Sequence, residues 1–442
     1  MAITRRQFVT RLGALAATVG FSQADVSKLT EAFAGNTSAL GGTFNKPRVI
    51  WIHGAECPGC STSLLGILED ANGLPFKASG DSVTTTGAAL GLAGVTNALG
   101  GAFPTLGGAT RDALYGEEEF VNIADVVIDV IDLQYHETVM GMGADLAARW
   151  LQDFITNNGG LGAGGATAAP FVLVIEGAMQ DAREGGAWGE SNTETPWCSI
   201  GMSANSSIEH DMAETVAKLA ALNNCALVVP IGQCACYGGY PGCKPQITST
   251  EAGFNSKVSQ TGAKGAYDFL NEYTDTDAAF QAKVNGAKDK VVAVPGCPTN
   301  PWWFVLTVVM AMVDLVDASH PLGVIGDNGL PNPAAVDYGR RLKKVYPIPV
   351  HSVYCPRFKY WASSTYALKP GDPGCLQKLG CKGIGTHSLC GAHGWNNQQP
   401  QNAGSLASLN GGRGGHCTAA GHPCMGCTEK GYPDAFVPFV KR

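Results

Sequence analysis

Three times in this chain an apolar, strand-like run ends in a tight Gly- or Pro-flanked turn that carries cysteine. The stretches are WIHGAECPGC at 51–60, PIGQC at 230–234 and VPGCP at 294–298. This recurrence constrains the fold more than any other feature. Strands buried on both faces of a parallel sheet read as short continuous runs rich in Val and Ile, and the loops that follow them all leave at one edge. Five runs have that character: 48–53 (RVIWIH), 126–133 (VVIDVIDL), 171–175 (FVLVI), 226–231 (ALVVPI) and 290–294 (KVVAV). Helical stretches at 61–70, 144–155, 207–222 and 302–316 separate or follow some of them. The alternation predicts an α/β fold with a doubly wound parallel sheet. Cys57, Cys60, Cys234 and Cys297 then converge at its carboxyl edge, where open sheets of this kind bind ligands.

The chain changes character at both ends. Residues 1–34 carry Arg5-Arg6 before Phe8, an apolar run at 12–21 and an Ala-Phe-Ala site at 32–34. This is the layout of a twin-arginine leader, which exports a folded chain after any cofactor has been inserted. The most apolar run, 302–316, is too short to span a bilayer and contains Asp314, so it predicts a buried helix. Two Gly/Ala/Thr-rich stretches, 78–116 and 157–169, read as surface insertions in a domain over 45–337. Beyond 338, apolar periodicity gives way to Gly, Pro, Asn and closely spaced Cys. A C-terminal domain over 338–442 of that composition buries little apolar surface of its own and calls for an inorganic staple. A net charge of −7 without a basic stripe argues against nucleic acid as a partner.

Fifteen cysteines are present, and their placement sorts most of them into sets of four ligands. Besides the edge set, the tail holds Cys355, Cys375 and Cys381, which need a histidine to complete four, and Cys390, Cys417, Cys424 and Cys427. Four sulfur ligands suit zinc or an iron–sulfur cluster. Zinc ribbons pair two local C-x2-C knuckles, whereas the edge set has one. Three four-ligand sites in one exported chain read as redox centres in series, between which electrons hop.

With WIHGAECPGCSTSLL, DVIDLQYHETVM, VIEGA, PIGQCACYGG, VPGCPTNP, PGCLQKLGCKG and AGHPCMGC in this order, after RRQF near the start, the chain resembles the small subunit of nickel–iron hydrogenases. The motifs span nearly the whole chain outside the two insertions. The resemblance implies a flavodoxin-like domain followed by a mostly irregular domain that binds iron–sulfur clusters. It implies three 4Fe–4S clusters: proximal on Cys57, Cys60, Cys234 and Cys297; medial on Cys390, Cys417, Cys424 and Cys427; distal on His351, Cys355, Cys375 and Cys381. In much of the family a proline stands where this chain has Cys417, which leaves a three-iron medial cluster; here four thiolates are available. The histidine in VHSVYC lies one residue further from its cysteine than the family spacing, and His387 is the other candidate. Gly59 and Gly239 occupy the positions where oxygen-tolerant members carry extra cysteines, so that specialised proximal cluster is not expected. Glu56 is a candidate for a proton path, and Glu176 at a strand end is either such a group or an ordinary loop acid. Cys198, Cys225, Cys236 and Cys243 read as buried thiols, with a redox role for Cys236 and Cys243 left open.

The resemblance further implies a large subunit as partner, which holds the nickel–iron centre that splits dihydrogen, in a heterodimer or a dimer of heterodimers. A cytochrome or membrane redox partner would take the electrons, in the periplasm. The competing expectations are a stand-alone multi-cluster ferredoxin-like carrier and a structural zinc or disulfide protein.

Overall fold

The computed structural model describes residues 47–65, 68–70, 120–122, 131–157, 169–180, 197–202, 209–243, 261–316, 319–347, 349–351, 355–390, 395 and 416–440. The leader at 1–34, the insertion at 78–116 and most of that at 157–169 lie outside them.

A parallel sheet organises the first part of the chain. Its strands are β1 (Arg48–His53), β2 (Asp132–His136), β3 (Phe171–Glu176) and β4 (Cys225–Ile231), in the order β2-β1-β3-β4. Residues 291–294 run alongside β4 through the parallel bridges Val228–Val291 and Ile231–Val294. The order 2-1-3-4-5 is that of flavodoxin-like sheets. One expected strand differs in its bounds: the apolar run 126–133 is mostly outside the described residues, and β2 starts only at Asp132, at its end. Pairing decided this, since Arg48 and Val49 of β1 take Asp132 and Leu133 as parallel neighbours.

Side-chain alternation gives the sheet two buried faces. Val49, Trp51, Val172, Val174, Leu227 and Val229 share one core with helix α7 (Pro301–Val316). Ile50, Ile52, Leu173, Ile175 and Val228 share the other with α2 (Ala144–Thr156), α3 (Met212–Ala220) and, beyond the short α4 (Gly232–Tyr237) that follows β4 directly, α5 (Ala266–Glu272) and α6 (Ala278–Ala287). The expected doubly wound α/β fold is therefore present. Helix α7 starts where its sequence dictates: Asn300 accepts from Trp302 N at 3.0 Å, and Pro301 takes the first helical position, where no N–H is needed. It is apolar on all sides and almost wholly buried, with Asp314 accepting from the amides of Leu322, Val324 and Ile325 at 2.7, 2.5 and 3.0 Å. No helix among the described residues is long and apolar enough to cross a membrane.

Local structure shortened two expected helices. The 61–70 stretch gives α1 (Gly59–Leu65) and then a strand at Leu68–Asp70. The 207–222 stretch gives α3 only after Asp211, whose carboxylate caps it by accepting from Glu214 N at 2.8 Å. The described part of the tail from 338 onward holds one short α-helix, two short 3-10 turns and many tight turns.

Candidate metal centres

The turns after β1, β4 and residues 291–294 meet at the carboxyl edge of the sheet. Gly232 follows β4 with φ +82°, and a Cβ built on it would lie 2.5 Å from Cys60 Sγ. Only a residue without a side chain lets two cysteine loops close this tightly. Gly239, at φ +50°, and Gly59 leave room for sulfur in the same way: a Cβ would stand 2.8 Å from Cys234 Sγ and 3.0 Å from Cys57 Sγ respectively. Thr299 N points at Cys60 Sγ from 3.5 Å. Burial pushes the Cys234 thiol up to about 12, with Cys297 and Cys57 adding to it. Cys57, Cys60, Cys234 and Cys297 thus sit within electrostatic reach of one another, and Cys57 is exposed.

The tail builds two cavities. The first is lined by Cys390, Cys417, Cys424 and Cys427, together with Trp395. The second is lined by His351, Cys355, Cys375 and Cys381, with Ile384 at its exposed side. Backbone pairing puts His351 there: Val350 N donates to Thr386 O at 2.7 Å and His351 N to Gly383 O at 3.0 Å. Its Nε2 is buried without a partner. His387 goes elsewhere, and its Nδ1 lies 3.2 Å from Glu429 Oε1.

The three sites adjoin one another in series, edge to middle to outer. The thiol of Cys427 is raised by burial and then by Cys390, Cys417 and, across to the sheet edge, Cys297. Cys424 is raised by burial and then by Cys381 of the second cavity, and its amide donates to Cys381 Sγ at 3.2 Å. The indole of Trp395, in the middle site, donates to Cys297 O at 3.0 Å. Middle and outer sites therefore share one loop, and middle and edge sites share Trp395.

What these side chains can hold follows from charge and spacing. All fifteen cysteines are free. Burial raises Cys390 as well as Cys234 to about 12, so without a bound cation both are neutral thiols at neutral pH. A tetrahedral zinc ion with Zn–S near 2.3 Å draws its sulfurs to about 3.8 Å from one another. Among the described residues the group of three or more His, Cys, Asp or Glu ligand atoms lying within 4.8 Å of one another is His53, Glu56 and Glu176; no three of the cysteine sulfurs are that close. Sulfur sets around open cavities, too wide for one ion, fit a cluster whose irons fill the middle. Cys198, Cys225, Cys236 and Cys243 line neither cavity; Cys236 Sγ donates to Pro230 O at 3.2 Å and Cys243 Sγ to Gly239 O at 3.5 Å.

Beside the edge set lies a network of acids and imidazoles. Glu176 accepts from Cys60 N and Ser61 N at 3.0 Å, from Trp51 Nε1 at 3.1 Å and from Ser61 Oγ at 2.5 Å. Glu56 touches His53 Nδ1, but its Oε2 is buried without a partner. Burial pushes Glu56 up to about 7. Burial, and then the neighbouring Glu56, raises Glu176 as well. Within this pair the four donors favour the ionised form of Glu176, and the orphan oxygen favours the protonated form of Glu56. Burial lowers His136 to about 3, so it stays neutral beside Ser61.

Sequence reasoning missed Trp395, Trp361, Gly232 and the pairing of Arg341 with Glu429. The isolated Trp395 in a Gly/Asn-rich stretch was the one visible signal, since a lone large aromatic in such a stretch needs something to pack on.

Known proteins resemble this chain in sequence and fold. The family described as the C-terminal part of the NiFe/NiFeSe hydrogenase small subunit matches residues 346–440. The family of the NADH ubiquinone oxidoreductase 20 Kd subunit matches residues 117–311. The F420 non-reducing hydrogenase II small subunit of Methanosarcina mazei is 26% identical over 439 residues, covering 98% of this chain and 83% of that protein. The periplasmic [NiFeSe] hydrogenase small subunit of Desulfomicrobium baculatum is 24% identical over 443 residues, covering 99% of each. The solved structure of the reduced, active Ni-Fe-Se hydrogenase from that organism superposes with a TM-score of 0.54 at 25% identity, covering 89% of this chain and 98% of that one.

Proposed function

We propose, from the premise that the chain belongs to the nickel–iron hydrogenase small-subunit family, that it conducts electrons through three 4Fe–4S clusters between a large-subunit hydrogen-cleaving centre and an external acceptor. The observation that carries this reading is the series of three sulfur-rich sites, joined by Cys297 to Cys427 and by Cys424 to Cys381. Cys57, Cys60, Cys234 and Cys297 would hold the proximal cluster, Cys390, Cys417, Cys424 and Cys427 the medial, and His351, Cys355, Cys375 and Cys381 the distal. Clusters on these ligands would supply one-electron transfer at each station. The chain's own part is to space the sulfurs, to aim amides at them, and to exclude water around the buried Cys60, Cys375, Cys424 and Cys427, whose protons a bound cation would displace. The orphan Nε2 of His351 supports that histidine over His387 as the distal ligand.

The partner is a hydrogenase large subunit, docked where the edge site opens at the exposed Cys57. Glu56, at that same edge, would hold a proton in transit. Residues 1–34 would act as a twin-arginine leader and 45–337 and 338–442 as two domains, with the mature chain in the periplasm, the location in the names of several relatives. The first experiment is iron analysis and electron paramagnetic resonance of the natively purified complex with and without Cys417→Ser. Three four-iron clusters amount to about twelve irons per chain. The serine variant is expected to lose about one iron and to show an oxidised three-iron signal absent before. An iron-free chain, or one that purifies without a nickel-containing partner, rejects the reading.

A further inference from the structure

The charge of this chain is unevenly distributed. Residues 338–442 hold 13 of its 30 Lys and Arg and 3 of its 37 Asp and Glu. Between 351 and 428 the single acidic residue is Asp372. A chain of net charge −7 therefore ends in a strongly cationic segment, and the structure shows where that charge collects. Lys359 and Lys378 are exposed, Lys382 adjoins Cys381, and Arg357 lines the His351 cavity. Among the described residues none of these four is in an ion pair with an acid. Arg357 is spent on carbonyl oxygens, those of Gly374 at 2.8 Å and Thr418 at 3.0 Å. Asp372 is spent on the amides of Leu368 and Lys369 at 3.2 and 3.1 Å. Among the described residues, four cations against the one carboxylate of Asp372 leave this part of the chain net positive.

Apolar surface stands beside these cations, which adjoin the cavity's lining residues or Trp361 along the chain. Trp361 is 37% exposed, and its ring lies 4.3 Å from the His351 imidazole in an edge-to-face contact. Ile384 lines the cavity and is 43% exposed. An exposed aromatic anchor within a charged rim is the anatomy of a protein docking site. The lipid headgroup region of a membrane would also answer to the cations, but a bilayer takes up no electron, and these cations lie beside residues of the terminal station of the proposed series.

We propose that the face centred on Trp361 over the His351 cavity docks an acidic redox protein, whose carboxylate rim meets Lys359, Lys378 and Lys382. This deepens the function proposed above and rests on it. Dihydrogen, oxidised on the partner subunit, gives two protons and two electrons; each electron leaving through this face reduces one carrier molecule. Opposite charges steer the encounter, so the association rate rises as salt is removed, whereas a cationic carrier is repelled.

The test uses the complete complex and two probes: an acidic plant-type ferredoxin and a basic mitochondrial cytochrome c, each reduced with hydrogen over a range of ionic strength. Wild-type kcat/KM for ferredoxin is expected to fall roughly tenfold from low salt to about 0.3 M, and that for cytochrome c to rise. In Lys359→Glu with Lys378→Glu, the low-salt ferredoxin value is expected to drop roughly tenfold and both salt slopes to flatten or invert. Exchange of D2 with solvent protons, which needs no carrier, should be unchanged in the variant. Identical ferredoxin kinetics in wild type and variant overturn the proposal. So does wild type, but not variant, cosedimenting with phosphatidylserine vesicles while ferredoxin kinetics coincide, because the face would then bind lipid. Iron content separates the levels: full iron with no charge effect rejects the docking face alone, and missing iron rejects the function beneath it.

Discussion

Arg341 is the residue on which the tail is hung. Its side chain is fully buried. Its guanidinium reaches Asp337 Oδ2 at 2.7 Å, Glu429 Oε1 at 2.7 Å and Thr428 O at 2.8 Å. Glu429, two residues past Cys427, also receives His387 N at 2.5 Å and the hydroxyl of Tyr338. Burial pushes the Glu429 carboxyl up, but Arg341 and Tyr338 more than offset it and hold the group below its usual range. A charge buried in this way tolerates its environment only as a pair. Arg341→Met is expected to lower stability by about 3–5 kcal/mol, and Arg341→Met with Glu429→Gln to recover much of the loss. The midpoint of thermal unfolding of the complex reads both. The sequence offers no hint of this pair: in RRLKK, Arg341 looks like one more solvated cation. Partners 88 positions apart become neighbours only when the tail folds back.

At the scale of elements, strand and turn divide the labour. β1, β4 and residues 291–294 fix the direction of three cysteine loops, and the turns set how closely those loops approach. Gly232→Ala would require a non-glycine residue at φ +82° and drive its methyl group to 2.5 Å from Cys60 Sγ. The strain is on the order of 1–3 kcal/mol, small enough for the sheet to survive. The displaced sulfur is not so easily accommodated. On the function proposed above, the variant is expected to fold, to lose about four irons and the proximal resonance, and to keep the other two clusters; iron analysis and paramagnetic resonance check this. The strand-then-cysteine recurrence was legible because a buried parallel strand needs an unbroken apolar run. The start of β2 was less so, because the run at 126–133 is apolar along its length and only pairing with β1 fixes where the strand lies. The capped start of α7 was written locally, in Asn300 and Pro301.

At the scale of the whole molecule, several acids are buried near the edge site, and this ties stability to pH. Burial pushes Glu137 up to about 7 from its ordinary 4.5. Between those two values the folded chain keeps a proton that the unfolded chain has released, so the contribution of Glu137 to stability falls as pH rises through that window. Glu137→Gln is expected to flatten the decline in melting temperature between pH 5 and pH 8, with the greater gain at pH 8. An unchanged profile would place the proton elsewhere. The parallel sheet and the cysteine sets could be read from order and spacing, since both are matters of which residue types follow one another along the chain. Which cavity His351 lines was not legible: pairing with Thr386 and Gly383 places it beside Cys355, Cys375 and Cys381, whereas His387 lies against Glu429. The contact of the three sites, the Arg341 pair and the packing of Trp361 on His351 were decided by tertiary structure alone. Sequence dictates which groups stand beside one another along a strand or in a turn; the distance between two buried sites, and the charge left unbalanced between them, exist only once remote segments have packed together.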